Sequence, residues 1–225
     1  MKKAFIFLLL VASFFFSKAQ LSVGPKVGLV FSSTKGDPKD ANNKFKIGFQ
    51  SGVFLRFAVN DQISFQPEIL YSTRGYKLKT STITSVSSKD TNLTYTFSYV
   101  DFPLMINVHV VDNIHFNIGP QVGYLVNVKS KGNVTSTIGS TTVNEQIVNK
   151  SDIFDYTTTE LSLALGGGYE FNFGLMLSLR SAMGVTKLYD NGKLSRNLSF
   201  IFSACYRLGD DGYTSKRGGG IYNKL

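Results

Sequence analysis

Few side chains in this sequence are equipped for chemistry. Its two histidines, His109 and His115, stand on either side of Asp112-Asn113. Two imidazoles and a carboxylate at this spacing could hold a metal ion or relay a proton, and the other reading is two ordinary histidines beside a turn. Four charges, Arg56, Glu68, Asp101 and Arg180, fall inside segments that are otherwise alternately apolar. A buried charge persists only when another group neutralises it, so these four are expected to form a polar network. Cys205 is the only cysteine, which excludes an internal disulfide. Acid-base or nucleophilic catalysis needs a base beside the nucleophile, and no histidine lies elsewhere in the chain. The reading is therefore no enzyme, no metal and no cofactor.

The stretch from Phe45 to Tyr76 indicates what positions these groups. Phe45, Ile47, Phe49, Val53, Leu55, Phe57 and Val59 alternate with Lys46, Gly48, Gln50, Gly52, Arg56 and Ala58, and Phe54 is the one large apolar side chain out of phase. After the turn pair Asn60-Asp61, Ile63, Phe65, Pro67, Ile69 and Tyr71 alternate with Ser64, Gln66, Glu68, Ser72 and Arg74. Period-two alternation marks a strand with unlike faces. Soluble strands usually run about five or six residues, whereas a tilted membrane-crossing strand needs roughly nine to eleven, and both arms exceed that.

The same pattern recurs over Leu21 to Phe31, Tyr95 to Val110, Ile114 to Val128, Glu160 to Phe171, Leu175 to Lys187 and Asn197 to Leu208. Val128 and Leu198 are placed with the outward apolar residues, and His109, His115, Asp101 and Arg180 with the inward polar ones. Asp112-Asn113 and Asn172-Phe173-Gly174 supply further tight turns, while Ser32 to Lys44, the Ser/Thr-rich stretch after Arg74 and the excursion from Lys129 to Thr157 are long. The expected fold is all-β: an eight-stranded antiparallel up-and-down transmembrane β-barrel with short periplasmic turns and longer extracellular loops. Tyr71, Tyr95, Tyr124 and Tyr189 fall near the outer strand ends, and Phe57, Phe171 and Tyr206 near the inner ends, where aromatic girdles belong. Pro25, Pro67, Pro103 and Pro120 predict bulges or broken ladder bonds, because a closed barrel has no free edge on which a missing N–H is harmless. A soluble sandwich would not need so long an apolar face on every strand.

Residues 1–19, MKKAFIFLLLVASFFFSKA, combine two lysines, an apolar run and a small-x-small cleavage site, and read as a secretory signal peptide. Losing Lys2, Lys3 and Lys18 lowers the formal charge from +9 to +6. The remaining basic residues read as scattered through loops and one strand face, which argues against nucleic acid as a partner. The expected organisation is a barrel domain over residues 20–208 and a flexible periplasmic tail over 209–225, in which Gly218 to Gly220 supply the flexibility.

Gln66-Pro67-Glu68-Ile69-Leu70-Tyr71-Ser72, Val100-Asp101-Phe102-Pro103-Leu104-Met105, Gly119-Pro120 with Gly123-Tyr124, Gly166 and Gly168 before Tyr169, and the closing Tyr206-Arg207-Leu208 resemble the PorT-like outer-membrane β-barrel family of Gram-negative bacteria. The resemblance covers essentially the whole mature chain and implies a barrel in the cell outer membrane. The member that gives the group its name is associated with protein secretion and maturation. The chain departs from such barrels by continuing past its aromatic-terminated last strand.

An eight-stranded barrel has an interior that its own side chains can fill, so Arg56, Glu68, Asp101 and Arg180 are expected to plug the lumen. The resulting function is structural or protein-interactive, accessory to secretion or surface assembly; the alternative is a narrow, porin-like channel or transporter for small solutes. The expected partners are outer-membrane lipid and a protein held by loops 75–94 and 129–157 through strand addition, with the barrel itself a monomer.

Overall fold

The computed structural model describes residues 21–36, 43–60, 62–111, 113–150, 156–189 and 194–209. The expected signal peptide, Asp61, Asp112 and the expected tail from residue 210 onward lie outside the described residues. The strands are β1 (Leu21–Lys35), β2 (Asn43–Ala58), β3 (Ile63–Ile83), β4 (Ser87–Val111), β5 (Ile114–Ile138), β6 (Thr141–Lys150), β7 (Thr159–Glu170), β8 (Leu175–Gly184) and β9 (Arg196–Tyr206). All pair antiparallel, in the order β4-β3-β2-β1-β9-β8-β7-β5-β6, and a further β4–β5 ladder closes the ring. Eight strands make the wall, which leaves no open edge at membrane depth.

The ninth strand is where the fold goes beyond the sequence pattern. The Lys129 to Thr157 excursion is not simply loop: β5 continues to Ile138, turns at Gly139, and returns as β6 on the register Lys129↔Lys150 to Ile138↔Thr141. Its β-branched residues suit a pleated surface, and cross-strand side-chain bonds join Thr135 to Asn144 and Thr137 to Thr142. The upper parts of β3 and β4 pair up to Ile83↔Ser88, so a four-stranded sheet rises beyond the ring.

The alternation sorts the two faces of the wall. Phe49, Ile118 and Leu163 are 47%, 46% and 52% exposed, whereas Lys26, Arg56 and Glu68 are at most 2% exposed. Val128 departs from its expected side and is fully buried. Ser98 pairs with Asn127 but Tyr99 pairs with Leu125, so β5 carries an extra residue at Val126 and every side chain above it changes face. Leu198 keeps its place opposite Met183 yet is buried. Tyr71 and Tyr124 lie exposed on the outer wall, but Tyr95 and Tyr189 pack against an inner aromatic cluster and do not belong to a girdle.

The prolines interrupt hydrogen bonding without shifting register. The β2–β3 ladder skips Leu55 and Arg56 opposite Pro67 and Gln66, β3–β4 skips Glu68 and Ile69 opposite Pro103 and Phe102, and β4–β5 skips Leu104 and Met105 opposite Pro120 and Gly119. Gly119 lies in this row because a Cβ there would meet the Leu104 carbonyl oxygen at 2.0 Å. The short connections are tight: the Asn60 side-chain oxygen accepts from the backbone N–H groups of Gln62 and Ile63, and Gly174 turns at φ +93°.

If the outward face is solvated by lipid, Ile118→Arg should lower the unfolding free energy in phospholipid vesicles by about 2–4 kcal/mol. Urea titration followed by far-UV circular dichroism measures this, and the substitution Ile83→Arg at the exposed tip of β3 should leave the midpoint unchanged.

Candidate functional site

The inward side chains form a stack with three charged layers. At the end carrying the short turns, Arg56 donates from Nη1 to Glu170 Oε2 at 2.8 Å and from Nε to Gln66 Oε1 at 3.1 Å. Arg207 Nε lies 3.2 Å from Glu170 Oε1, and His109 Nε2 lies 3.7 Å from Oε2. In the middle layer Glu68 accepts from Lys26 at 2.9 and 3.0 Å and from both terminal nitrogens of Arg180 at 3.0 Å. Gln66 joins the two layers, because its amide donates to Glu68 at 2.7 Å while its oxygen accepts from Arg56 and Asn107.

Above an apolar layer of Val30, Met105, Ala164, Ala182 and Ile201, the third layer centres on Arg74, which pairs with Asp101 and, at 2.9 Å, with Glu160. Ser72 donates to Asp101, Ser162 and Asn197 donate to Glu160, and the Arg74 guanidinium lies 4.3 Å from the centre of the Tyr99 ring. The two lower layers each carry one excess positive charge and the upper layer one excess negative charge. The lumen is thus near electrical balance, as burial of so many ions requires.

Arg56, Glu68 and Arg180 are therefore linked through Gln66, whereas Asp101 belongs to a separate layer. Lys26, Arg74, Glu160 and Glu170 were missing from the set that sequence reasoning singled out. Each occupies an inward position of its strand, so the alternation marks all four; pairing across the barrel depends on shear, which no single strand encodes.

Above the third layer the interior becomes aromatic. Tyr76, Phe97, Tyr99, Tyr156 and Leu188 pack with Leu125 and Val128, and Tyr95 and Tyr189 lie against them. Tyr76 stacks on Tyr95 at 4.9 Å, and its hydroxyl shares a 2.6 Å hydrogen bond with that of Tyr189. Together these side chains form an apolar plug at the end that carries the long connections.

His109 and His115 are buried at the short-turn end with ring centres 5.5 Å apart. Among the described residues, Glu170 is the carboxylate that completes the group, with ligand atoms of the three residues within 4.8 Å of one another; Asp112 lies outside the described residues. The two guanidinium groups beside Glu170 already neutralise it and repel a cation, so the chemistry of the donor set favours an ion-pair cluster over a metal centre.

Glu68 is shared by two cations, which predicts unequal mutational costs. Glu68→Gln strands Lys26 and Arg180 together and should cost about 3–5 kcal/mol. Arg180→Met leaves the Lys26–Glu68 pair and should cost clearly less; equilibrium unfolding in vesicles compares the two.

The profile of the outer membrane protein beta-barrel domain family matches residues 15–190. No curated protein sequence matches the chain. Among solved structures, the chain is similar to Ail, the attachment invasion locus protein of Yersinia pestis, with 12% identity, 84% of this chain and 99% of that chain covered, and a TM-score of 0.41. It is also similar to Neisserial surface protein A, with 9% identity, 84% and 97% covered and a TM-score of 0.44. A third similar structure is the outer membrane protease OmpT of Escherichia coli, with 12% identity, 87% and 98% covered and a TM-score of 0.32. The family match extends over most of the sequence, and the chain belongs to the outer membrane protein beta-barrel domain family.

Proposed function

We propose that this outer-membrane barrel is a non-conducting support that presents a protein-binding sheet at the cell surface. The observation that carries the reading is the free edge of β6. One side of β6 pairs with β5 without a register break, and no described strand pairs with the other. Natural edge strands are usually protected by proline, bulges or charged side chains, and of charges β6 carries only Glu145 and the terminal Lys150. TTVNEQIVNK carries no proline, and Val143 and Val148 are 59% and 67% exposed. An extended segment of a partner could add to this edge through main-chain hydrogen bonds, with alternate side chains setting specificity.

In barrels of this class short turns face the periplasm and long connections face outward. On that rule β6 stands outside the cell, above the aromatic plug, and the layers of ion pairs below it favour a stopper over a conduit. His109 and His115 lie at the far end behind the plug, which argues against chemistry on external substrates. The PorT-like resemblance supports a setting in secretion or surface assembly, and the closed ring supports action as a monomer.

A proline pair tests the edge. Successive residues of an antiparallel strand direct their N–H groups to opposite sides, so one of Asn144→Pro and Glu145→Pro breaks the β5–β6 ladder and the other blocks only the free edge. Partners that co-purify from gently solubilised outer membranes should be lost with the second variant while its circular dichroism stays that of the wild type. Retention of the same partners by both variants would contradict the proposal.

A further inference from the structure

Two pairs of like charges face each other directly across neighbouring strands. Lys35 is the register partner of Arg196 on the β1–β9 ladder, and Lys44 is the partner of Lys77 on the β2–β3 ladder. All four side chains are exposed. Like charges placed opposite one another destabilise a sheet unless an anion lies between them.

The two pairs belong to a wider band. The rung Lys77–Thr94–Lys131 crosses β3, β4 and β5, and Lys79 and Lys129 flank it. Among the described residues, every exposed lysine or arginine lies at the long-connection end, accompanied there by only two exposed acids, Asp90 and Glu145. In the linear sequence these cations look scattered. The up-and-down topology brings every second strand end to one level and gathers them.

The level of the band identifies what it meets. Phe31 and Phe200 are register partners near the top of the apolar wall, and both are exposed. Lys35 and Arg196 follow four residues further along their strands. At a rise of about 3.3 Å per residue and a tilt of about 40°, that places the charges roughly 10 Å above the two rings. Lipid headgroups occupy this zone.

We infer that the band binds the phosphorylated headgroups of outer-leaflet glycolipid, each phosphate bridging a pair of opposed cations. Lysine and arginine donate charge-assisted hydrogen bonds to phosphate oxygens, so an inserted phosphate turns a repulsive pair into a doubly attractive one. The band spans β9, β1, β2, β3 and β5, which follows the distribution of a lipid annulus; a protein partner would engage one side of the barrel. This inference stands independently of the β6 edge.

The test compares the full chain in phosphatidylcholine vesicles containing diphosphorylated lipid A, in the same vesicles containing dephosphorylated lipid A, and in phosphatidylcholine alone with free inorganic phosphate. The melting temperature of the wild type should rise by about 4 °C or more with the diphosphorylated lipid only. The triple variant Lys35→Gln, Arg196→Gln, Lys77→Gln should lose at least half of that gain, yet melt no lower than the wild type in phosphatidylcholine alone, because its repulsion has been relieved. Lys89→Gln, near the tip of the sheet, should keep the full gain. Equal melting temperatures with the two lipids, an equal gain from inorganic phosphate, or an undiminished gain in the triple variant would each overturn the inference. Should the triple variant not fold, the wild-type comparison still decides.

Discussion

The structure depends on Glu68 being neutralised in the middle of the barrel. Its two oxygens accept from Lys26 on β1, Arg180 on β8 and Gln66 on its own strand, so one carboxylate ties together strands on different sides of the ring. Leaving any one of these ions unpaired in a lumen this narrow would cost several kcal/mol. The same pairing fixes register, since a slip of β3 by one residue would carry Glu68 into lipid and bring Ile69 inward. Through Gln66 the constraint reaches Arg56 and Glu170, and so down to the short-turn end.

This packing makes the two ends of the barrel different. At one end His109, His115 and Glu170 are held beside two guanidinium groups; at the other, tyrosines and leucines close the interior. There we propose that the sheet of β3 to β6 offers backbone hydrogen bonds at its edge, and that the lysine and arginine band meets lipid headgroups.

Much of the architecture was legible in the sequence because the side-chain period of a strand is a local property. Phe49, Ile118 and Leu163 face outward and Arg56, Glu68, Asp101 and Arg180 inward, as alternation alone requires. Where the local rule fails, the cause is an added residue or a longer-range contact. Val128 changes sides because of the β5 bulge at Val126, and Tyr95 and Tyr189 turn in to pack with Tyr76 and Tyr156. The ionic partners were legible only in part: the inward positions of Lys26, Arg74, Glu160 and Glu170 follow from period two, but their pairing follows from ring closure. The gathering of the lysines at one end was hidden for the same reason, since it belongs to topology and not to any one segment.

Single-channel recording in planar bilayers bears on the proposed stopper without intermediate steps, because ion pairs around Glu68 and an aromatic cluster above them should close the lumen to ions. The purified wild-type protein, incorporated in either orientation, should give no resolvable conductance steps across the usual range of applied voltage. Discrete, reproducible steps carried by the wild-type barrel would mean that its interior is open, and would contradict the account of the lumen as a neutralised and filled core.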